Sequence, residues 1–123
     1  MKIIFESGIE VECQLYLDKC PRTIKALLSS LPIKSTVNLW GDEIYFHVPF
    51  SVGEENSKDV VEVGDVAYWP EGPSLCIFFG PTPISPSSDV IKPYSPVNVI
   101  GKILGDVRIL KRVKDGEEVK IVE

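Results

Sequence analysis

Residues 38–50 read NLWGDEIYFHVPF. Ile44, Phe46 and Val48 alternate with Glu43, Tyr45 and His47. A period of two is the mark of a β-strand with one buried face. Just upstream, Val37 and Leu39 alternate in the same way with Thr36, Asn38 and Trp40. Gly41-Asp42 between the two runs is turn chemistry. The stretch therefore reads as a β-hairpin. Its aliphatic face needs a core to cover. Its other face carries Trp40, Tyr45, Glu43 and the only histidine of the chain, His47.

The sequence on either side reads the same way. Ile9, Val11, Cys13, Leu15 and Leu17 alternate with Glu10, Glu12, Gln14 and Tyr16, and Ser7-Gly8 turns the chain back onto Lys2–Glu6. This predicts an opening hairpin. In CPRTIKALLSSLP, residues 20–32, Ile24, Leu27, Leu28 and Leu31 fall on one face of a helix. Pro21 suits the first helical position, where its missing N–H is no loss, and Pro32 stops the run. Downstream, two strands are expected to flank Val63-Gly64-Asp65, with others at Leu75–Phe79, Val97–Leu104 and Glu118–Val122. A helical turn fits Asp106–Val113. Pro81–Pro96 holds five prolines and is read as a long irregular loop. Many short strands and one amphipathic helix predict a small β-barrel, mainly β, with the helix plugging one end.

Bulk properties narrow the function classes. A length of 123 residues, 44% of them hydrophobic, suits one domain, residues 1–123, with one core. Net charge is −5, and neither a basic face nor a Lys/Arg run is visible. Nucleic acid and anionic membrane are therefore not expected as partners. The apolar runs are too short to span a bilayer. Acids appear early in MKIIFESGIEVE, which does not suit a secretory signal, so a cytoplasmic location is expected. Cys13, Cys20 and Cys76 form no CxxC pair, and one histidine builds no cluster. No metal site and no cofactor are expected. Amide side chains are scarce, with one Gln and three Asn, a trait found among thermophile proteins.

Candidate chemistry is thin. His47 has no nucleophile near it in sequence and reads first as a surface strand histidine. Asp42 and Glu43 point to opposite faces of a strand, so they read as turn chemistry plus a solvated charge and not as an acid–base pair. Cys76 alternates with Leu75 and Ile77 and reads as packing. Cys20, before Pro21, sits where a helix dipole could lower its pKa, although a chance occupant of the cap is the plainer reading. Trp40 and Tyr45 stand out, because large aromatics on an outer wall imply either a binding platform or burial under the Pro81–Pro96 loop. Tyr68, Trp69 and Phe79 are candidates to extend that surface. No catalytic residue is assigned.

Three stretches together resemble the cyclophilins, and more closely the small prokaryotic and archaeal cyclophilin-like proteins. CPRTIKALLSSLP is similar to the first cyclophilin helix. GDVAYWPEGPSLCIFFGPTP is similar to the segment running to the paired phenylalanines, here Phe78 and Phe79. VNVIGKILGDVRILKRV is similar to the closing strand, with Ile100-Gly101-Lys102-Ile103 at its centre. The resemblance covers nearly all of the chain. It implies a closed eight-stranded barrel with one capping helix, a short helical turn and a binding groove on the outer wall, with Phe79 in the pocket. It also implies an arginine after the first helix for proline isomerisation, and NLWGDEIYFHVP has none. Twisting an X–Pro amide crosses a barrier of about 18–20 kcal/mol, and a cationic donor at the proline nitrogen is a large part of the help an enzyme can give.

The sequence thus supports a cyclophilin-like binding protein whose aromatic groove, built from Trp40, Glu43, Tyr45, His47, Tyr68, Trp69 and Phe79, accepts a small molecule or a short proline-containing peptide. Two alternatives are a weak peptidyl-prolyl isomerase and a non-catalytic subunit of a larger amidohydrolase-type assembly.

Overall fold

The computed structural model describes residues 1–123. Nine strands form one sheet: β1 (Lys2–Phe5), β2 (Glu10–Leu15), β3 (Ile33–Thr36), β4 (Asn38–Trp40), β5 (Glu43–His47), β6 (Asp65–Trp69), β7 (Ser74–Phe78), β8 (Asn98–Leu104) and β9 (Glu118–Val122). Their order is β3-β9-β1-β2-β8-β6-β7-β5-β4. The two end strands, β3 and β4, are separated in the chain by Val37 alone. The sheet therefore rolls up and nearly closes on itself. Across the seam the Ser35 hydroxyl donates to the His47 carbonyl at 2.7 Å.

The count is nine strands where eight were expected. The run Ser35–Trp40 alternates like one strand but serves two partners. β3 pairs with β9, and β4 pairs with β5. Val37 between them turns to the segment before β9, donating to the Glu117 carbonyl and accepting from Gly116 N–H. Val37 is buried as its alternation predicts, whereas Leu39 on the edge strand stays 37% exposed. The region before Val63 also departs from expectation. It forms isolated bridges at Lys58 and Val61 and no strand, and only β6 follows the Gly64 turn.

Alternation sets the inner core. Ile44 and Phe46 of β5, Val66 and Tyr68 of β6, and Leu75 and Ile77 of β7 all face inward and are fully buried. Burying one such side chain contributes about 1.5–3 kcal/mol. Helix α1 (Pro21–Ser30) closes one end, and its Ile24 and Leu27 join the same core. Leu28, placed on that face by spacing, keeps 37% exposure, and Thr23 takes a buried position instead. A 3-10 helix, Val107–Arg112, begins at Asp106, whose carboxylate accepts from Arg108 N–H.

The first turn of α1 is capped from a distance. Cys20, at the cap position, makes no side-chain capping bond. Glu55, in the loop after β5, accepts from the backbone N–H groups of Arg22 and Thr23 at 3.0 and 2.9 Å. The Thr23 hydroxyl donates to it as well, at 2.8 Å. Asn98 of β8 holds Glu55 in place by accepting from its N–H at 2.9 Å, and its amide donates to the Thr23 hydroxyl and the Gly53 carbonyl. Burial alone would raise the Glu55 pKa. Those three bonds and a fourth from Arg22 Nε–H at 3.4 Å outweigh that and hold it at about 2. The Cys20 thiol is not activated by the helix. Burial and the Glu55 charge push it up, and it donates to the Glu55 carbonyl.

A second, smaller apolar layer lies outside the barrel. Ala67, Cys76 and Phe78 project from the outer faces of β6 and β7 and pack against Val61, Ile91 and Val97 from the covering loops. The 81–96 loop carries no strand, yet it is pinned. The Thr82 hydroxyl donates to the Lys92 carbonyl at 2.6 Å, and the Ser85 hydroxyl accepts from the backbone N–H of Thr82 and of Lys92. Its start folds tightly over the β4–β5 turn. A Cβ on Gly41, which has φ +60°, would lie 2.8 Å from the Pro83 ring, and one on Gly80 would overlap the Asp42 carboxyl. These contacts place the loop beside the outer face of the hairpin.

Candidate ligand-binding pocket

Register decides which side chains meet on the outer wall. Trp40 lies opposite Glu43 across the β4–β5 turn. Tyr45 lies opposite Cys76, and Cys76 lies opposite Ala67 on the far side of β7. Opposed residues share a face, so Trp40, Glu43, Tyr45 and Cys76 project outward together, with Trp69 two residues beyond Ala67. The loop adds Pro93, Tyr94 and Val97. These side chains enclose a cavity of about 230 Å³.

Four aromatic rings form one continuous edge-to-face chain around the cavity. Trp40 and Tyr94 have centroids 5.9 Å apart with planes at 71°. Tyr94 and Trp69 follow at 5.9 Å and 73°, and Trp69 and Tyr45 at 6.2 Å and 84°. Edge-to-face pairs at these spacings place the positive rim of one ring on the negative face of the next. The Trp69 indole N–H donates to the Ser95 hydroxyl at 2.6 Å, which locks that ring. Tyr94 is 69% exposed and forms the outer wall.

At the floor sits Glu43, 5% exposed. Its Oε1 is buried without a hydrogen-bond partner. Burial drives its pKa up to about 7, although the Cys76 thiol beside it pulls the other way. Glu43 is thus a buried carboxyl and not the solvated charge that its neighbour Asp42 suggested. Trp40 is its partner across the β4–β5 turn. The Cys76 thiol is fully enclosed. Burial first, then the Glu43 charge, push its pKa well above that of a free thiol, so it stays protonated. No Lys, Arg or His lines the cavity.

Of the seven residues assigned from sequence, Trp40, Glu43, Tyr45 and Trp69 come together here. Three do not. Tyr68 has the parity of Val66 and points into the barrel, where it stacks on Phe50 at 5.2 Å and accepts from Val52 N–H. Phe79 shares the parity of Leu75 and Ile77 and joins the inner core, while Phe78 faces outward. His47 is on the outer face opposite Ser74, is exposed, and does not line the cavity. Four lining residues were missed: Cys76, Pro93, Tyr94 and Val97. Parity was available for Cys76. For Tyr94 the signal was the rigid segment KPYSP, residues 92–96, whose prolines restrict the backbone. No cluster of three or more His, Cys, Asp or Glu side chains is placed to hold a metal ion, and no helix is long and apolar enough to cross a membrane.

Known proteins share this architecture. A hypothetical protein of Archaeoglobus fulgidus, known from its solution structure, is 54% identical to this chain. It superposes with a TM-score of 0.85 over 98% of this chain and 91% of the other. A structure of McbB in complex with tryptophan superposes with a TM-score of 0.77 at 17% identity, which is a likeness of fold. It covers 99% of this chain, and the chain spans 44% of McbB. Among curated proteins none matches the sequence. The Cyclophilin-like family model matches residues 1–122 of the 123, and with the rolled nine-stranded sheet above it the conclusion is direct: the chain belongs to the cyclophilin-like family.

Proposed function

We propose that this protein binds a small molecule or the side chain of a short peptide in the pocket walled by Trp40, Tyr45, Trp69 and Tyr94. The observation that carries this reading is the unbroken chain of edge-to-face rings around an open cavity with a polar floor. Ligand sites are typically mostly apolar concavities with a few convergent polar groups, and this one fits the pattern. The tryptophan complex of McbB supports a ligand of amino-acid size in a protein carrying this fold.

Both tryptophans of the chain line the cavity, so intrinsic fluorescence reports on it directly. Titration with a panel of aromatic and aliphatic metabolites and an X–Pro peptide should shift the emission for at least one class. The shift should be lost in Tyr94→Ala. A panel that moves neither emission nor melting temperature would overturn the reading.

Weak proline isomerisation is the second reading, favoured by membership of the family. Against a proficient isomerase stands the lining, which contains no cation to draw on the proline nitrogen lone pair. Of the chain's arginines, Arg22 is bonded to Glu55 and Arg108 to Asp106, and Arg112 belongs to the 3-10 helix. NMR exchange on an X–Pro peptide decides this: rates equal to the uncatalysed rate at high protein concentration dismiss it.

A further inference from the structure

We infer that the pocket selects an organic cation, a protonated amine carried on a small apolar body, which enters between the four rings and pairs with Glu43. The inference rests on the proposed pocket and adds the charge of its occupant.

Three observations converge on a positive charge. First, the walls are aromatic. Trp40, Tyr45, Trp69 and Tyr94 line the space, and a cation held over the face of such a ring is attracted by it. Second, the floor is an acid with one oxygen left unpartnered. Glu43 is 5% exposed and its Oε1 has no donor within the chain. Buried polar atoms almost always have partners, so an unpartnered carboxylate oxygen on a residue that lines a cavity marks a place for a donor from outside. An ammonium N–H supplies that donor and the counter-charge together, which removes the cost of burying the anion alone. Third, nothing in the lining competes for the carboxylate. The side chains around it are Phe78, opposite it on β7, Cys76 from the same strand, Tyr45 from its own strand and Trp40 from β4, and the cavity adds Trp69 and Tyr94. None is cationic, and the thiol is a weak donor. A carboxylic acid or phosphate ligand would meet Glu43 with like charge and would find no basic residue to hold it. The excess of acids over bases across the chain, net −5, also draws cations toward the surface.

The other cavities lack this combination. The one bounded by Tyr16, Lys19, Lys58, Glu62 and Asp65 mixes both signs on open surface, and Lys19 is already held over the Tyr16 ring at 4.7 Å.

The test uses three probes with one apolar body and different charge: phenethylamine, 2-phenylethanol and 3-phenylpropanoate. Each is titrated calorimetrically against the wild-type chain, Glu43→Gln and Tyr94→Ala at neutral pH. Gln keeps the shape of the side chain and removes its charge. The expected result is that phenethylamine binds best to the wild type. Its affinity should fall by about tenfold or more in Glu43→Gln, while that of 2-phenylethanol stays within about twofold. Equal binding of amine and alcohol, or a preference for the propanoate, would overturn the cation inference and leave the aromatic pocket standing. Phenethylamine binding that survives Glu43→Gln intact would overturn it too. If none of the three binds at millimolar concentration, the inference falls, and the fluorescence panel above then judges the pocket on its own. Circular dichroism of Glu43→Gln separates a lost partner from a lost fold.

Discussion

Glu43 ties the stability of the barrel to pH, and the size of the effect follows from its burial. In the unfolded chain its carboxyl titrates near 4.5; in the folded chain burial raises it to about 7. Between those values the native state binds the proton that the unfolded state has released. Stability is therefore greatest below about 4.5 as far as this group is concerned, and it falls as pH rises through about 7. The separation corresponds to a penalty of about 3 kcal/mol once both states are ionised. That is a large fraction of the 5–15 kcal/mol typical of a domain. Glu43→Gln removes the titration and keeps the shape. Urea unfolding of both proteins at pH 5 and pH 8.5 isolates the term, because every other titrating group is common to the two and cancels in the difference. The variant should gain about 2–3 kcal/mol on the wild type between those pH values. For a chain of this length the same change raises its melting temperature relative to wild type by about 10 °C. A stability difference that stays constant from pH 5 to pH 8.5 would refute the burial of the Glu43 charge and, with it, the polar floor of the pocket.

Three further perturbations test the scaffold. Glu55→Ala removes the carboxylate that accepts the first free N–H groups of α1 and should cost about 1–2 kcal/mol in urea unfolding, as loss of a helix cap does. Because the folded pKa of Glu55 is depressed to about 2, its contribution is present above about 4.5 and should vanish as pH falls toward 2, which acid unfolding of wild type against variant will read. Gly101→Ala places a Cβ against the Gln14 carbonyl and the Cys13 sulfur. β2 and β8 must then part, with a loss of about 1–3 kcal/mol in chemical denaturation. Tyr68→Phe leaves Val52 N–H without its acceptor. It should cost about 1 kcal/mol by the same measurement and leave ligand-induced fluorescence changes intact, since Tyr68 faces the core and not the pocket.

Local pattern made most of the barrel legible. The hairpin Asn38–Phe50, the opening hairpin and α1 each announce themselves through period two or period 3.6, because side-chain direction within a strand or helix depends on nearest neighbours in sequence. Half of the lining came with them, since Trp40, Glu43, Tyr45 and Trp69 lie on faces that alternation keeps out of the core. Alternation also decided against two of the chosen residues. Tyr68 shares its parity with Val66, and Phe79 with Ile77, so both point inward. The family resemblance had put Phe79 in the pocket, yet a shift of one residue in a strand is a change of face.

What pattern alone determined, then, is which residues have an inside and an outside. What only the tertiary structure decided is who meets on the outside. Strand pairing between residues far apart in sequence set Cys76 beside Tyr45 and Glu43. The division of Ser35–Trp40 between β9 and β5 closed the sheet at Val37. The 81–96 loop, which has no period to read, is held by the Thr82 and Ser85 hydroxyls and delivers Tyr94 to the last wall of the pocket. Burial of Glu43 belongs to this second group. A carboxyl on the outer face of an isolated hairpin is solvated, and it loses its water only when a neighbouring strand and a distant loop fold over it.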